Sequence, residues 1–186
     1  MAPVKIISES KSKNGTQVTL RYPTKDDTQV MCDYINSLSD ERTYISFQGE
    51  HMTLEEEQQY LNNLLEKFKE HKCLQILAFV QDKLIGTTSI DMGERTSSHI
   101  GNFGISVAKD FRGQGIGKLL MQTALDEAVK EIPNLQIVTL GVFSNNDLAK
   151  KMYEDFGFVE YGRLPQGVKL EAESTDHVHM YKVVKK

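Results

Sequence analysis

A run of three glycines between a strand-like segment and a helical pattern most constrains what this 186-residue chain can fold into. The run is Phe111-Arg-Gly-Gln-Gly-Ile-Gly-Lys-Leu-Leu120, in which glycines alternate with longer side chains. Such a turn lets successive backbone N–H groups point into one concavity, with the positive end of a helix dipole behind them. The run therefore predicts a phosphate site, most simply a diphosphate site, where a strand turns into a helix.

The spacing of the glycines excludes two common phosphate-binding motifs. A P-loop needs Gly-x4-Gly-Lys followed by Ser or Thr, but Arg112 stands at the first glycine position and Leu119 at the hydroxyl position. The dinucleotide motif Gly-x-Gly-x-x-Gly fails as well, because Lys118 or Leu120 takes the place of the third glycine. No carboxylate-rich metal site accompanies the run, so no metal is expected.

Hydrophobic periodicity and turn residues predict one mixed α/β domain over residues 1–186, with a core from about 18 to 184. The predicted order is strand, two helices, three strands, helix, strand, helix and two strands. The strands are predicted at 17–22, 74–80, 84–90, 100–107, 136–143, 158–161 and 177–184. Helix starts are predicted at Asp26 or Asp27, at the capping box Thr53/Glu56, after the glycine run and at Asn146.

Composition restricts the function classes. A formal net charge of −4 argues against a general nucleic-acid binder and mildly favours cationic small molecules or basic peptides as substrates. Cys32 and Cys73 belong to no metal-ligand cluster and are interpreted as reduced thiols. No signal peptide or membrane-spanning stretch is recognisable, so a cytoplasmic protein without a membrane partner is expected.

Two sequence blocks together resemble one family. The first is Arg112-x-x-Gly115-x-Gly117 after the strand Phe103–Val107, and the second is Asn146-x-x-Ala-x-x-x-Tyr153 with its terminal Gly157-Phe158. In this order they resemble the GNAT superfamily of acetyl-CoA-dependent N-acetyltransferases, in particular its small bacterial-type members. The resemblance extends over roughly 18–184. It implies a mixed, mostly antiparallel sheet of about six or seven strands, splayed between the fourth and fifth strands and flanked by about four helices.

The resemblance also implies how acetyl-CoA would bind. Pantetheine would lie between the splayed strands like an additional strand, and the diphosphate would lie on the amides of the glycine run. Side chains at Gly115 or Gly117 would push the phosphates away, and Asn146 also fits a simple helix N-cap. The residues implied for cofactor binding are Ile105, Ser106, Val107, Arg112, Gly113, Gln114, Gly115, Ile116, Gly117, Lys118 and Asn146.

The chemistry implied is direct attack by a neutral primary amine of a small molecule or peptide on the thioester, with a backbone N–H near Ile105 to Val107 stabilising the oxyanion. Tyr153 is similar in position to the general acid that protonates the departing CoA thiolate. A phenol of reference pKa ~10 needs a tuned site to protonate a thiolate whose conjugate acid is near ~8.5. Helical spacing from Ala149 and Phe156 equally favours plain core packing for Tyr153.

The general base is not identified by the sequence. Relatives often carry acidic residues where this chain has Gly141 and Asn102. The remaining candidates, each equally well explained as a solvated loop or strand-end residue, are His99, Asp91, Glu50 and His51. Acceptor selection is expected from the first two helices and the final hairpin, whose acidic and aromatic groups suit an ammonium-bearing substrate. These groups are Tyr44, Phe47, Glu50, His51, Asp176, His177 and His179.

Two alternatives to an active enzyme stay open. A non-catalytic acyl-CoA-binding or sensing module of the same fold is compatible with the missing base. A structural domain whose glycine run is only a tight turn is the other. Homodimers are common among similar proteins, but no surface pattern in the sequence requires one.

Overall fold

A computed structural model describes residues 5–170 and 173–185. The strands are β1 (Ile6–Lys11), β2 (Gln17–Arg21), β3 (Cys73–Val80), β4 (Lys83–Met92), β5 (Ile100–Val107), β6 (Ile137–Phe143), β7 (Val159–Lys169) and β8 (Ser174–Val183). The helices are α1 (Thr28–Asp40), α2 (Leu54–Lys69), α3 (Ile116–Glu131) and α4 (Asp147–Asp155). Within the described residues the strands form one eight-stranded sheet in the order β1-β2-β3-β4-β5-β6-β8-β7. The mixed α/β fold class is confirmed.

The centre of the sheet is splayed. Every neighbouring pair of strands is antiparallel except β5 and β6, which run parallel. Their ladder joins only Ile100–Asn102 to 137–139. Beyond it β5 continues to Val107 and β6 to Phe143 without pairing to each other, although both strands are fully described. These are the fourth and fifth strands of the sequence prediction, so the predicted splay is confirmed.

Helices cover both faces of the sheet. On one face α3 packs through Leu120, Met121 and Ala124 against the large core cluster. On the other, α1 and α2 place Leu38 and Leu61 against β3 in a second cluster. The capping box predicted for α2 is present, because Thr53 Oγ1 accepts from the Glu56 N–H and the Glu56 carboxylate accepts from the Thr53 N–H.

The strand count differs from the six or seven expected. The sequence analysis missed β1, an edge strand whose residues are all exposed or half-exposed and therefore carry a weak hydrophobic signal. The sixth predicted strand ended at 161, whereas the corresponding strand β7 continues to Lys169 through Gly162 and Gly167. Because β7 is an exposed edge strand, register shifts between Glu160 and Gly162 and between Leu164 and Val168 are tolerated there.

Candidate active site

The glycine run presents a set of backbone hydrogen-bond donors at the start of α3. Gly113 and Gly115 have φ of 75° and 85°, a left-handed backbone that glycine adopts without strain. Gly115 is the N-cap and provides no side-chain cap. None of the six backbone N–H groups from 113 to 118 donates a hydrogen bond to another described residue. These donors lie at the positive end of a 16-residue helix and are therefore suited to hold an anion.

Two lysines stand beside these donors. The Lys13 N–H donates to the Gln114 carbonyl at 3.0 Å, and its side-chain carbons pass close to Gly115. Lys118 Nζ lies 2.9 Å from Asp155 Oδ2, which ties α3 to α4. The sequence analysis did not single out Lys13, because it belongs to the turn between β1 and β2, distant in the chain from the glycine run.

Arg112 connects the end of β5 to the end of α1 and does not face the amides of the glycine run. Its Nε donates to the Val107 carbonyl at 2.8 Å, and its guanidinium lies 2.6 Å from the Glu41 carboxylate, at the end of α1. The contact between Arg112 and CoA stays a prediction. Ser106, on the implied pantetheine strand, shares a 3.0 Å hydrogen bond with the Tyr34 hydroxyl of α1. Burial raises the pKa of Tyr34, so this phenol stays neutral.

The second sequence block lies beside the splay. The Asn146 side chain accepts from the Ala149 N–H at 3.2 Å, which confirms its N-cap role. Tyr153 is only 7% exposed and packs edge-on against Phe103 of β5, and Phe158 contacts both of these rings. Its hydroxyl has no hydrogen-bond partner within the described residues. Burial raises the pKa of Tyr153 to about 12. The ring therefore belongs to the core, while the phenol keeps an unused proton next to β5.

The sheet face opposite α3 presents small and polar residues near the splay. Thr87 lies opposite Leu77 and Ser106 in the ladders, which places it on the face covered by α1 and α2. Asp91 and Gly104 follow on the same face by strand alternation. We call this surface the acceptor face.

The segment between α1 and α2 reaches across this face. The Tyr44 hydroxyl donates to the Asn145 carbonyl at 3.4 Å, and its ring stands edge-on to Phe143 of β6. Tyr44, predicted as an acceptor residue, is therefore positioned over the splay. Phe47 lines a cavity between α1, α2, β3 and β4.

His177 lies over Gly141 on the acceptor face. A Cβ added at Gly141 would collide with the imidazole, whose ring is also in contact with Phe143 and His179. Burial and the neighbouring His179 lower the pKa of His177, so the imidazole is neutral at pH 7. The missing side chain at Gly141 therefore provides room for an imidazole. The sequence analysis named His177 only as an acceptor residue and not as a base candidate.

Most base candidates from the sequence lie elsewhere or are engaged. His51 Nε2 lies 2.7 Å from Asp40 at an exposed position. The backbone N–H of Gln48 donates to Glu50 and lowers the pKa of that carboxyl. His99 precedes β5, at the end opposite to the glycine run. Asp91 alone of the four faces the acceptor side by strand alternation, and burial raises its pKa.

Two further properties concern the described residues as a whole. Within 5–170 and 173–185, no group of three or more His, Cys, Asp or Glu side chains could hold a metal ion. None of the helices in these ranges is long and apolar enough to cross a membrane. Cys32 and Cys73 are both buried, free thiols.

The fold is an open mixed sheet, splayed between β5 and β6, with backbone donors suited to an anion at the start of α3. Residues 33–158 match the model of the acetyltransferase (GNAT) family. The match covers more than half of the chain, and the chain belongs to this family. The resemblance inferred from the two sequence blocks is confirmed, and the protein is an acyltransferase.

Individual relatives agree with this assignment. The chain is 27% identical over 170 residues to a spermidine N(1)-acetyltransferase of Vibrio cholerae, covering 90% of this chain and 93% of that protein. A GNAT-family acetyltransferase from Streptococcus pneumoniae superposes with a TM-score of 0.82 at 26% identity, covering 89% and 99% of the two chains. The putative acetyltransferase yncA from Salmonella typhimurium, solved with acetyl-CoA, has the same fold, with a TM-score of 0.78 at 15% identity and 91% and 95% coverage.

Proposed function

We propose that this protein transfers the acetyl group of acetyl-CoA to a primary amine of a small molecule or peptide, by direct attack in a ternary complex. The observation that carries the proposal is the row of free amides from Gly113 to Lys118 beside the opening between β5 and β6. Further support comes from the fold shared with a structure that contains acetyl-CoA and from the similarity to a protein named for spermidine acetylation.

On the donor side, the free amides would hold the CoA diphosphate, with Lys13 and Lys118 adding positive charge. Pantetheine would extend along Ile105, Ser106 and Val107. The Val107 carbonyl already accepts from Arg112, so pantetheine would share or displace that contact. The Ser106 hydroxyl is already engaged with the Tyr34 hydroxyl, so the contacts offered to pantetheine at this residue would come from its backbone.

In the chemical step, the amine nitrogen attacks the thioester carbonyl carbon, and a backbone N–H of β5 stabilises the developing oxyanion. The carbon–sulfur bond then breaks, its electron pair leaves with the CoA sulfur, and the proton that the attacking nitrogen loses on becoming an amide goes to that thiolate. The Tyr153 phenol is the nearby donor for that sulfur. Its pKa of about 12 lies above that of a thiol, ~8.5, so complete proton transfer to the thiolate is uphill. Tyr153 therefore acts mainly by donating a hydrogen bond to the leaving thiolate.

His177 is our proposed general base for the incoming ammonium group. Its imidazole lies over Gly141, which continues β6 past the last residue paired with β5. The ammonium would give one proton to the imidazole before attack. The titratable group facing this ring is His179, whereas Gly141 and Phe143 on β6 are uncharged. The neighbouring Asp176 carboxylate is engaged by the Gln166 N–H at 3.0 Å.

Release of free CoA from acetyl-CoA in the presence of polyamines, amino acids, aminoglycosides or peptides tests this function. We expect release with at least one class, and a rise in melting temperature with acetyl-CoA alone, because a ligand that binds only the native state stabilises it. Thermal stabilisation without CoA release from any amine would favour the non-catalytic acyl-CoA-binding module. If acetyl-CoA neither stabilises the protein nor releases CoA with any amine, the glycine run is only a structural turn.

A further inference from the structure

A cavity of about 240 Å³ lies between α1, α2, β3 and β4. Most of its wall is apolar, with Met31, Leu77 and Leu84 among the lining side chains. One carboxylate, Glu57 of α2, is part of this wall. We call this space the Glu57 cavity.

Glu57 is buried without a partner. The residue is 5% exposed, and its carboxylate neither accepts a hydrogen bond nor forms an ion pair within the described residues. Burial alone raises the pKa of this group. An unpaired carboxylate in an apolar wall is destabilising, because the lost hydration is not replaced by a counter-charge. Such a group is suited to receive a cation from outside the protein.

The other polar groups around the cavity are already paired. The Tyr60 hydroxyl donates to Gln75 Oε1 at 3.0 Å, and Gln75 Nε2 donates to Thr87 Oγ1 at 3.0 Å. The Tyr34 hydroxyl is engaged with Ser106. A ligand would therefore find one free polar contact in the cavity wall, and that contact is negatively charged. Three aromatic residues, Tyr34, Phe47 and Tyr60, also line the cavity, and aromatic rings can attract cations.

The cavity borders the strand on which pantetheine is proposed to lie. Tyr34 lines the cavity with its ring and reaches Ser106 of β5 with its hydroxyl, at 3.0 Å. Thr87, also in the cavity wall, lies directly opposite Ser106 in the ladder between β4 and β5. A flexible chain entering the cavity can therefore have its other end at the reacting edge of β5.

We propose that the Glu57 cavity binds the distal ammonium group of a linear diamine or polyamine acceptor while its other amine is acetylated. The assignment rests on the proposed function and names its acceptor class. Methylene segments match the apolar wall, and the distal ammonium supplies the missing partner of Glu57. An amino acid would bring its own carboxylate towards Glu57 and be repelled.

The decisive comparison is between 1,4-diaminobutane and n-butylamine, which have the same carbon chain but differ in the second cation. We expect the wild-type protein to acetylate the diamine with a kcat/KM at least about tenfold higher, equivalent to about 1.4 kcal/mol, because only the diamine offers a second ammonium to the buried Glu57 carboxylate. Glu57→Gln should raise KM for the diamine at least about tenfold and leave the monoamine within about twofold. Glu55→Gln removes the same charge from an exposed position on the same helix and should keep the wild-type preference.

Thermal unfolding gives an independent readout. Glu57→Gln without any amine should melt at the same temperature as the wild type or higher, because an unpaired buried charge has been removed. Millimolar 1,4-diaminobutane should stabilise the wild type and Glu55→Gln but not Glu57→Gln. If Glu57→Gln does not fold, the ratio of kcat/KM for 1,4-diaminobutane to that for n-butylamine in the wild type still tests the proposal.

The two proposals fail in different ways. Absence of CoA release with every amine, together with stabilisation by diaminobutane, would overturn the proposed function and retain the cavity as a cation site. Acetylation of the monoamine and the diamine at equal efficiency, unchanged in Glu57→Gln, would overturn the cavity assignment and retain the acetyltransferase.

Discussion

The two sides of the open sheet are built in different ways. At the start of α3, the proposed donor site consists of backbone N–H groups from one continuous run, Gly113 to Lys118. On the acceptor face, the groups of interest are side chains from separate elements: Glu57 of α2, Asp91 of β4 and His177 of β8. The donor site therefore depends on local backbone shape, whereas the acceptor site depends on how distant elements pack together.

The two sides also differ in charge. Lys13 and Lys118 flank the amides on the donor side, while the acceptor side offers the carboxylates of Glu57 and Asp91. An anionic donor and a cationic acceptor would thus approach complementary surfaces. Backbone amides do not titrate, but His177 and Glu57 do. We therefore expect pH to affect acceptor turnover more than cofactor binding.

The largest effect should come from a carboxylate inside the donor site. Gly115→Glu places a negative charge among the amides, at a φ of 85° that disfavours any side chain. We expect acetyl-CoA affinity to fall at least about a hundredfold, equivalent to about 2.7 kcal/mol, by calorimetric titration. Gly157→Glu is the matched control, because Gly157 has a φ of 82° and terminates α4 outside the run. Unchanged affinity in Gly115→Glu would place the diphosphate elsewhere.

Removing the imidazole should have the next largest effect, on the acceptor side. His177→Gln should lower kcat/KM about a hundredfold at pH 7, the lower range for loss of a general base. The pKa of His177 lies below its ordinary value of 6.5. In the wild type, the rate should fall as the pH drops below this pKa, because imidazolium cannot accept a proton. This acidic limb should vanish in His177→Gln. If it vanishes instead in Asp91→Asn, the base is Asp91.

A moderate effect is expected where the two sides meet. Tyr153→Phe keeps the ring that packs against Phe103 and removes only the phenol hydroxyl. Loss of one hydrogen bond to a developing thiolate should reduce kcat about ten- to a hundredfold, with KM for acetyl-CoA within about twofold. Steady-state kinetics separates the two constants. Equal turnover in the variant and the wild type would show that Tyr153 serves packing alone.

The smallest effect should come from moving the imidazole without removing it. Gly141→Ala places a methyl group where the His177 ring lies, so the ring must shift. We expect kcat/KM to fall about three- to tenfold, within the range for small displacements of a reacting group. Gly162→Ala in β7 is the control, because a Cβ there would have no neighbour within 4 Å. If the same loss appears in a His177→Gln background, Gly141 acts independently of the imidazole.

Several parts of the fold could be predicted from local sequence. The capping box of α2 and the N-cap of α4 depend on residues three positions apart, so their chemistry is visible in the chain itself. Edge strands were predicted less well. In β1 and β7 few side chains are buried, and pairing with β2 and β8 holds them, so hydrophobic alternation is weak.

The sequence by itself determined the local structure of the proposed donor site. The glycine run and the strand before it predict a phosphate site, and together with the Asn146 block they resemble the GNAT acetyltransferases, a family that is confirmed. The acceptor half was decided by tertiary structure. Glu57 is one of three consecutive glutamates in α2, and only packing of α2 against α1 and β3 leaves it buried and unpaired within the described residues. Likewise, Gly141 has no side chain that could act as a base. Only the pairing of β6 with β8 brings the imidazole of His177 over this glycine. Burial and charge pairing are set by residues distant in the chain, and these two properties give the acceptor face its chemistry.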